Sequence, residues 1–434
     1  MARFPAGGGL RAQLARGALR GILISVLGIL VGFLVQVAVA RMLGVAEFGV
    51  YTWALACMNF MLLVSCSGLD GLTVRKLPSL LLDRQWGKVR GLFRFSIAWV
   101  GGVAFACAVV LYGAAWLLRE HALPGALDTL ALCIVVTPLF ALGSLRQSAL
   151  GALKHVAKAQ VLEAVVRPII LLLVLAAMIY LVGMAPTSAL AMIGQLSASV
   201  IVFVVGGIWL FQSLPRETRD AMPEREAEGW LRQAFPFLAI SGASAFGGQA
   251  GMLALGAMGT ATDTGIYAAV LRINDIAMMG IYSIGAIASP LFVETLARKD
   301  RAGLVHLLTW GARGALLFAL LASAGIVLLG DWVLAAFGKR FLEGHDPLYI
   351  MLPGVLISAF AGMSGFLLAM SGHAAQRAAV GWLCAISNIL VCIVAVPNHG
   401  IYGAAWGYVV SSLINAILCL FLCWRYLRVW AGLR

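Results

Sequence analysis

Apolar stretches of roughly 20 residues, the length that spans a bilayer as a helix, recur from one end of the chain to the other, separated by short polar turns. They run Gly21–Ala40, Phe48–Leu69, Phe95–Leu117, Leu127–Gly143, Val161–Val182 and Ala189–Phe211. A polar stretch, 212–234, follows, and then come Phe235–Met258, Gly265–Phe292, Trp310–Phe337, Leu348–Met370, Ala378–Val396 and Gly403–Trp424. The pattern predicts about twelve transmembrane helices, six on each side of the polar stretch. The expected organisation is therefore an N-terminal bundle over 1–211, a linker over 212–234 and a C-terminal bundle over 235–434. The fourth segment is the shortest and carries Pro138.

Backbone polar groups in hydrocarbon must be satisfied within the spanning element, which leaves helices or closed barrels. Barrel strands alternate apolar and polar residues, whereas these runs are continuous. Composition agrees: 62% of the 434 residues are hydrophobic and 11% charged, against roughly a quarter charged in a soluble domain. The fold class is an all-α polytopic membrane protein. The N-terminal run resembles a signal sequence at Ala38-Val39-Ala40 but exceeds the 7–15 residues of such a region, so it reads as a retained first helix.

The formal net charge of +13 comes from short loops between apolar runs. Lys and Arg favour alternate loops by roughly six to one, which predicts both termini on the cytoplasmic side. No basic run is interleaved with exposed aromatics, so nucleic-acid binding is excluded. The eight cysteines lie in apolar segments and form no Cys-x-x-Cys pair. The six histidines are scattered, and no Gly-x-x-x-x-Gly-Lys-Ser/Thr phosphate loop occurs. Neither a metal site, nor a catalytic set, nor a bound cofactor is expected.

The turn after the first helix reads Ala40-Arg41-Met42-Leu43-Gly44-Val45-Ala46-Glu47-Phe48-Gly49-Val50-Tyr51. Its second half is echoed half a chain later as Asp263-Thr264-Gly265-Ile266-Tyr267, and Gly-Ile-Tyr returns at 400–402. Two copies in the first hairpin of each six-helix half suggest a parallel pseudo-repeat about an axis along the membrane normal.

These residues resemble the polysaccharide-transporter branch of the MATE-like (multidrug/oligosaccharidyl-lipid/polysaccharide) flippase superfamily. The resemblance rests on Ala40-Arg41 through Tyr51, Gly68-Leu69-Asp70 with Arg75, Leu150-Gly151-Ala152-Leu153 and Arg167-Pro168. Gly265-Ile266-Tyr267-Ala268-Ala269 with Arg272, Ser289-Pro290-Leu291 and Ser371-Gly372 complete it. It implies two bundles in a V around a cavity that opens to alternate sides. It also implies a Wzx-type cargo, a polyprenyl-pyrophosphate-linked oligosaccharide for O-antigen, capsule or exopolysaccharide, moved from the inner to the outer leaflet. Membrane lipids, and a polysaccharide polymerase and chain-length regulator, are the partners it suggests. Coupling to a proton or sodium gradient is left open. The implied location is the bacterial cytoplasmic (inner) membrane.

A diphosphate and several sugars crossing hydrocarbon need cations and hydrogen-bonding groups along a wet path. Arg suits phosphate because its planar fork binds two oxygens and stays charged. Arg272 with Asn274 and Asp275 is the first candidate set, Arg272 and Asp275 forming an i, i+3 pair. Arg167 and Glu163, four apart with the acid N-terminal and Pro168 directly after the arginine, are the second. Arg75, Asp70 and Arg20 are candidates for receiving the diphosphate, against a simpler reading as topology-setting charges. Arg41 and Glu47 are expected to hold the outer turn. Gln36, Asn59, Gln249, Asn388 and Asn415 are single polar groups suited either to helix–helix hydrogen bonds or to sugar contact. Two other functions would call for different residues. A drug or cation antiporter needs acids deep in the N-terminal bundle. A membrane enzyme of polysaccharide assembly needs larger outer loops than this chain carries.

Overall fold

The computed structural model describes residues 7–117, 123–153, 155–224 and 227–429. It is all-helical, with no strand among the described residues. The chain runs through α1 (Gly7–Leu43), α2 (Val45–Cys66), α3 (Leu69–Leu82), α4 (Trp86–Leu117) and α5 (Ala126–Ala152). Then follow α6 (Val156–Val161), a π-helical turn (Leu162–Val166), α7 (Arg167–Ala176) and a second π-helical turn (Ala177–Leu181). After α8 (Ser188–Ser213) and the short α9 (Glu217–Asp220) come α10 (Ala227–Met258), α11 (Ala261–Ala297) and α12 (Arg301–Phe337). A 3-10 turn (Lys339–Gly344) leads into α13 (His345–Met370), α14 (Ala374–His399) and α15 (Ile401–Leu427). Among the described residues, eleven helices are long and apolar enough to cross a membrane, or twelve counting α10, which bends by 57° between Ala243 and Phe246. The protein is a multi-pass membrane protein.

Three features depart from the hydropathy pattern. Residues 69–82, expected as a polar turn, form α3, whose Leu69, Leu72, Leu77 and Leu80 are buried while Val74 and Arg75 face outward. The segment carrying Pro138 is not short; α5 continues unbroken to Ala152. The fifth expected helix contains two π turns, the first immediately before Arg167-Pro168. Proline cannot donate to the preceding turn, and a π turn is the usual way a helix absorbs one extra residue without breaking.

The two copies of the turn motif touch each other. A Cβ on Gly49 would overlap the Ala261 carbonyl oxygen, and one on Gly265 would overlap the Val45 carbonyl oxygen. Only glycine at both positions lets α2 and α11 cross with their backbones in contact. Around this crossing Phe48 packs edge-on against Phe341 (6.0 Å between centroids), and Phe33 against Phe337 (5.6 Å). Between helices in lipid, such close packing supplies the attraction that water exclusion supplies elsewhere. Arg41 Nε donates to the Ala336 carbonyl, and Glu47 accepts from the Ser188 backbone N–H (2.6 Å) at the start of α8. Both residues hold this end of the molecule together, the carboxylate sitting where a helix N-terminus favours negative charge. Away from this end, α10 packs along α2, with Phe60 against Phe246 (4.5 Å).

Candidate functional site

Beneath the Gly49–Gly265 crossing lies a cavity of about 840 Å³. That volume falls within the roughly 300–1,000 Å³ of small-molecule sites. Its wall from α11 is one helix face: Arg272, Asp275, Ile276, Met279, Tyr282 and Ser283 follow the three- and four-residue spacing of a single stripe. The opposite wall comes from α1 (Gly32, Gln36), α5 (Gln147) and α6 (Gln160). A smaller cavity of about 170 Å³ adjoins it, sharing Gly32, Gln36 and Arg272 and adding Arg167, Tyr51, Asn59 and Gln195.

Arg272 and Arg167, from opposite halves of the sequence, therefore face the same joined space. Arg272 is 45% exposed and pairs with Asp275 at 3.2 Å. Arg167 is 28% exposed, lies over the Phe140 ring at 4.3 Å and pairs with Glu163 at 2.8 Å. Tyr51, the last residue of the turn motif, reaches the smaller cavity and donates through its hydroxyl to Gln195 Oε1 (3.1 Å).

Glu163 lines neither cavity. It lies behind Arg167, where Arg146 also binds it. Arg146 is only 5% exposed and donates in addition to the Val202 carbonyl. Room for its guanidinium comes from Gly206 on α8, where a Cβ would run into it. The result is a buried Arg146–Glu163–Arg167 triad with two cations for one anion. Glu163 neutralises the deep cation and points the shallow one at the cavity. The apolar run ends at Gly143, which by hydropathy leaves Arg146 among the loop charges; the extension of α5 to Ala152 puts it inside a spanning helix instead.

The remaining sequence candidates divide. Asn274 is buried at 5% and is not among the cavity-lining residues, although its neighbour Asp275 is. Arg75 is exposed and Asp70 half-buried on α3, at the end of α2 remote from Gly49, and neither lines the two cavities. The side chain of Arg20 lies outside the described residues. Of the lone amides, Gln36 and Asn59 line the cavities, while Asn388 donates to the Gly247 carbonyl (3.1 Å) and so ties α14 to α10. Gln147, Gln160, Gln195 and Tyr51 are cavity residues that hydropathy did not mark.

The family model described as polysaccharide biosynthesis protein matches residues 14–296. No curated protein matches the chain in sequence. Among solved structures, the chain is similar to an inward-facing multidrug resistance MATE family transporter of the MOP superfamily. The TM-score is 0.74 at 14% identity, over 92% of this chain and 94% of that one. It is also similar to the lipid II flippase MurJ in an inward closed conformation, with TM-score 0.70 and 15% identity over 92% of this chain and 86% of that one. A MOP superfamily transporter from Pyrococcus furiosus aligns with TM-score 0.63 and 14% identity over 95% of both chains. At such identities the similarity assigns the fold.

Proposed function

The chain belongs to the polysaccharide biosynthesis protein family, and on that premise we propose that it is a flippase for a polyprenyl-diphosphate-linked oligosaccharide. On this reading the bundles 1–211 and 235–434, joined by 212–234, rock against each other. They carry the cargo from the cytoplasmic to the outer leaflet of the bacterial inner membrane, for O-antigen, capsule or exopolysaccharide synthesis. The delivered lipid would then pass to a polymerase and chain-length regulator.

The observation that carries this reading is the convergence of Arg272 and Arg167, one from each bundle, on joined cavities where Asp275 is the one carboxylate among the described lining residues. A diphosphate moved through hydrocarbon needs cations in a space shielded from bulk water, and two guanidinium forks meet that need. Its negative charge would compete with Asp275 for Arg272. The apolar side chains Val26, Ile29, Ile276 and Met279 line the same cavity and suit the prenyl chain beside the headgroup. With α2 and α11 sealed at the Gly49 end, taken as the outer side, the cavity faces the cytoplasm ready to load.

The antiporter reading is weaker on the same evidence. The acid it needs deep in the N-terminal bundle would be Glu163, and that carboxylate is already neutralised by Arg146 and Arg167. The test is delivery by purified protein in vesicles, with a sugar-labelled polyprenyl diphosphate lipid and an impermeant quencher reporting the leaflet. Arg272→Ala and Arg167→Ala should each abolish delivery at normal yield and folding. Arg272→Lys should retain a fraction, because it keeps the charge but loses the fork. Unchanged delivery in both alanine variants would overturn the assignment.

A further inference from the structure

The larger cavity is chemically divided along its length. Arg272 lies near the sealed end, 11 residues into α11, or about 16 Å of helical rise. On the facing wall Gln36 lies near it, whereas Gln160 and Gln147 lie close to the opposite ends of their helices. Gln160 precedes Arg167 by seven residues, about 10 Å of rise along the same helical segment.

The amide oxygens of Gln36 and Gln160 are buried and accept no hydrogen bond from any described residue. A buried acceptor left unpaired is destabilising, because it has lost its water without gaining a donor. An amide retained to join helices shows a hydrogen bond to the partner helix, as Asn388 does in donating to the Gly247 carbonyl. These oxygens show none, and both glutamines border the cavity. Rotation about the last side-chain torsion, which is soft in glutamine, turns the carboxamide toward the cavity, where an entering group that carries a donor satisfies the oxygen.

The diphosphate is not such a group. As an ionised diester it carries acceptor oxygens only, which match guanidinium donors and repel an amide oxygen. Sugar hydroxyls both donate and accept, and so match both ends of a carboxamide. Across the cavity from the glutamines, Tyr282 is 60% exposed. Its ring offers a flat apolar face for the C–H face of a sugar, while its rim stays polar.

We infer that Gln147 and Gln160, facing Tyr282, form the surface that reads the cargo's first sugars, separate from the arginines that hold its diphosphate. This assignment rests on the diphosphate reading above. It makes sugar selectivity a property of the α5/α6 wall. Each amide contributes an ordinary hydrogen bond, so its loss is felt as a few-fold to tenfold change in affinity.

The experiment compares binding of two lipids to the intact protein in detergent: a polyprenyl diphosphate, and the same lipid bearing a disaccharide. Gln160→Met and Gln147→Met should weaken binding of the glycosylated lipid by about five- to tenfold and leave the bare diphosphate unchanged. Arg272→Ala should weaken both. Thermal unfolding without lipid provides a second readout. Because the Gln160 amide oxygen is buried without a donor, Gln160→Met should leave the midpoint unchanged or raise it, whereas a glutamine joining helices would lower it. Equal weakening of both lipids by the glutamine variants, no weakening, or a lowered midpoint overturns the assignment of the sugar wall. If Arg272→Ala leaves both affinities unchanged, the diphosphate reading itself fails.

Discussion

Arg146 shows how a residue's role can be invisible until its neighbours are known. In sequence it is one of three basic residues between two apolar runs, and the positive-inside pattern accounts for it. In the fold it is 5% exposed, held by Glu163 and the Val202 carbonyl, in space left by Gly206. Removing the anion of a buried pair strands its cation, which costs about 3–5 kcal/mol. Glu163→Gln is therefore expected to lower unfolding stability by that order. Arg146→Met should cost less, because Glu163 keeps Arg167 at 2.8 Å and an apolar chain of similar length fills the site. Denaturant or thermal unfolding of both variants checks the order, and equal losses would contradict the triad. Arg167 and Arg272, by contrast, were legible from sequence. A cation well inside an apolar run has few places to go except a polar interior.

At the scale of elements, the repeated turn motif is a contact before it is a turn. Gly49 and Gly265 place the α2 and α11 backbones against each other, and the phenylalanines around them close that end. Gly49→Val or Gly265→Val must push the helices apart, at a typical overpacking cost of about 1–3 kcal/mol. The expected consequence is an opened seal. A cysteine at Ile266, a position 1% exposed, should become reactive to a water-soluble thiol reagent in the valine variants and stay inert without them. Persistent protection would show that the crossing tolerates the side chain. The echo between the two motifs was readable, since it is a pattern of residue types. That the copies meet was not, because they lie more than 200 residues apart and nothing local encodes the pairing. Helix α3 was missed for a different reason. It is too short and too polar on one face to register as a span, and its apolar stripe is defined by packing on α5 and α10.

For the whole molecule, one prediction concerns sidedness. The loop charges predict both termini on the cytoplasmic side, and the cavity extends away from the sealed Gly49 end toward the ends of α5 and α6 nearest those charges. A cysteine appended at either terminus should react with an impermeant thiol reagent only after the membrane is permeabilised. Labelling of either one in intact cells would invert the transport direction proposed above. What the sequence determined by itself was the approximate number and the order of the spans, because hydropathy over roughly 20 residues is a local property that lipid reads directly. It also marked the two motif copies and two of the intramembrane arginines. Which face each helix turns inward was decided only by the tertiary structure. A helix that is apolar all round carries no stripe to show its buried side, so Tyr51 could not be told from a lipid-facing or core residue, while Gln147 and Gln160 fell in the turn expected between Gly143 and Val161. In lipid that choice is made by close packing and by the partners polar groups find. Those partners, such as Glu163 for Arg146, come together only when distant helices do.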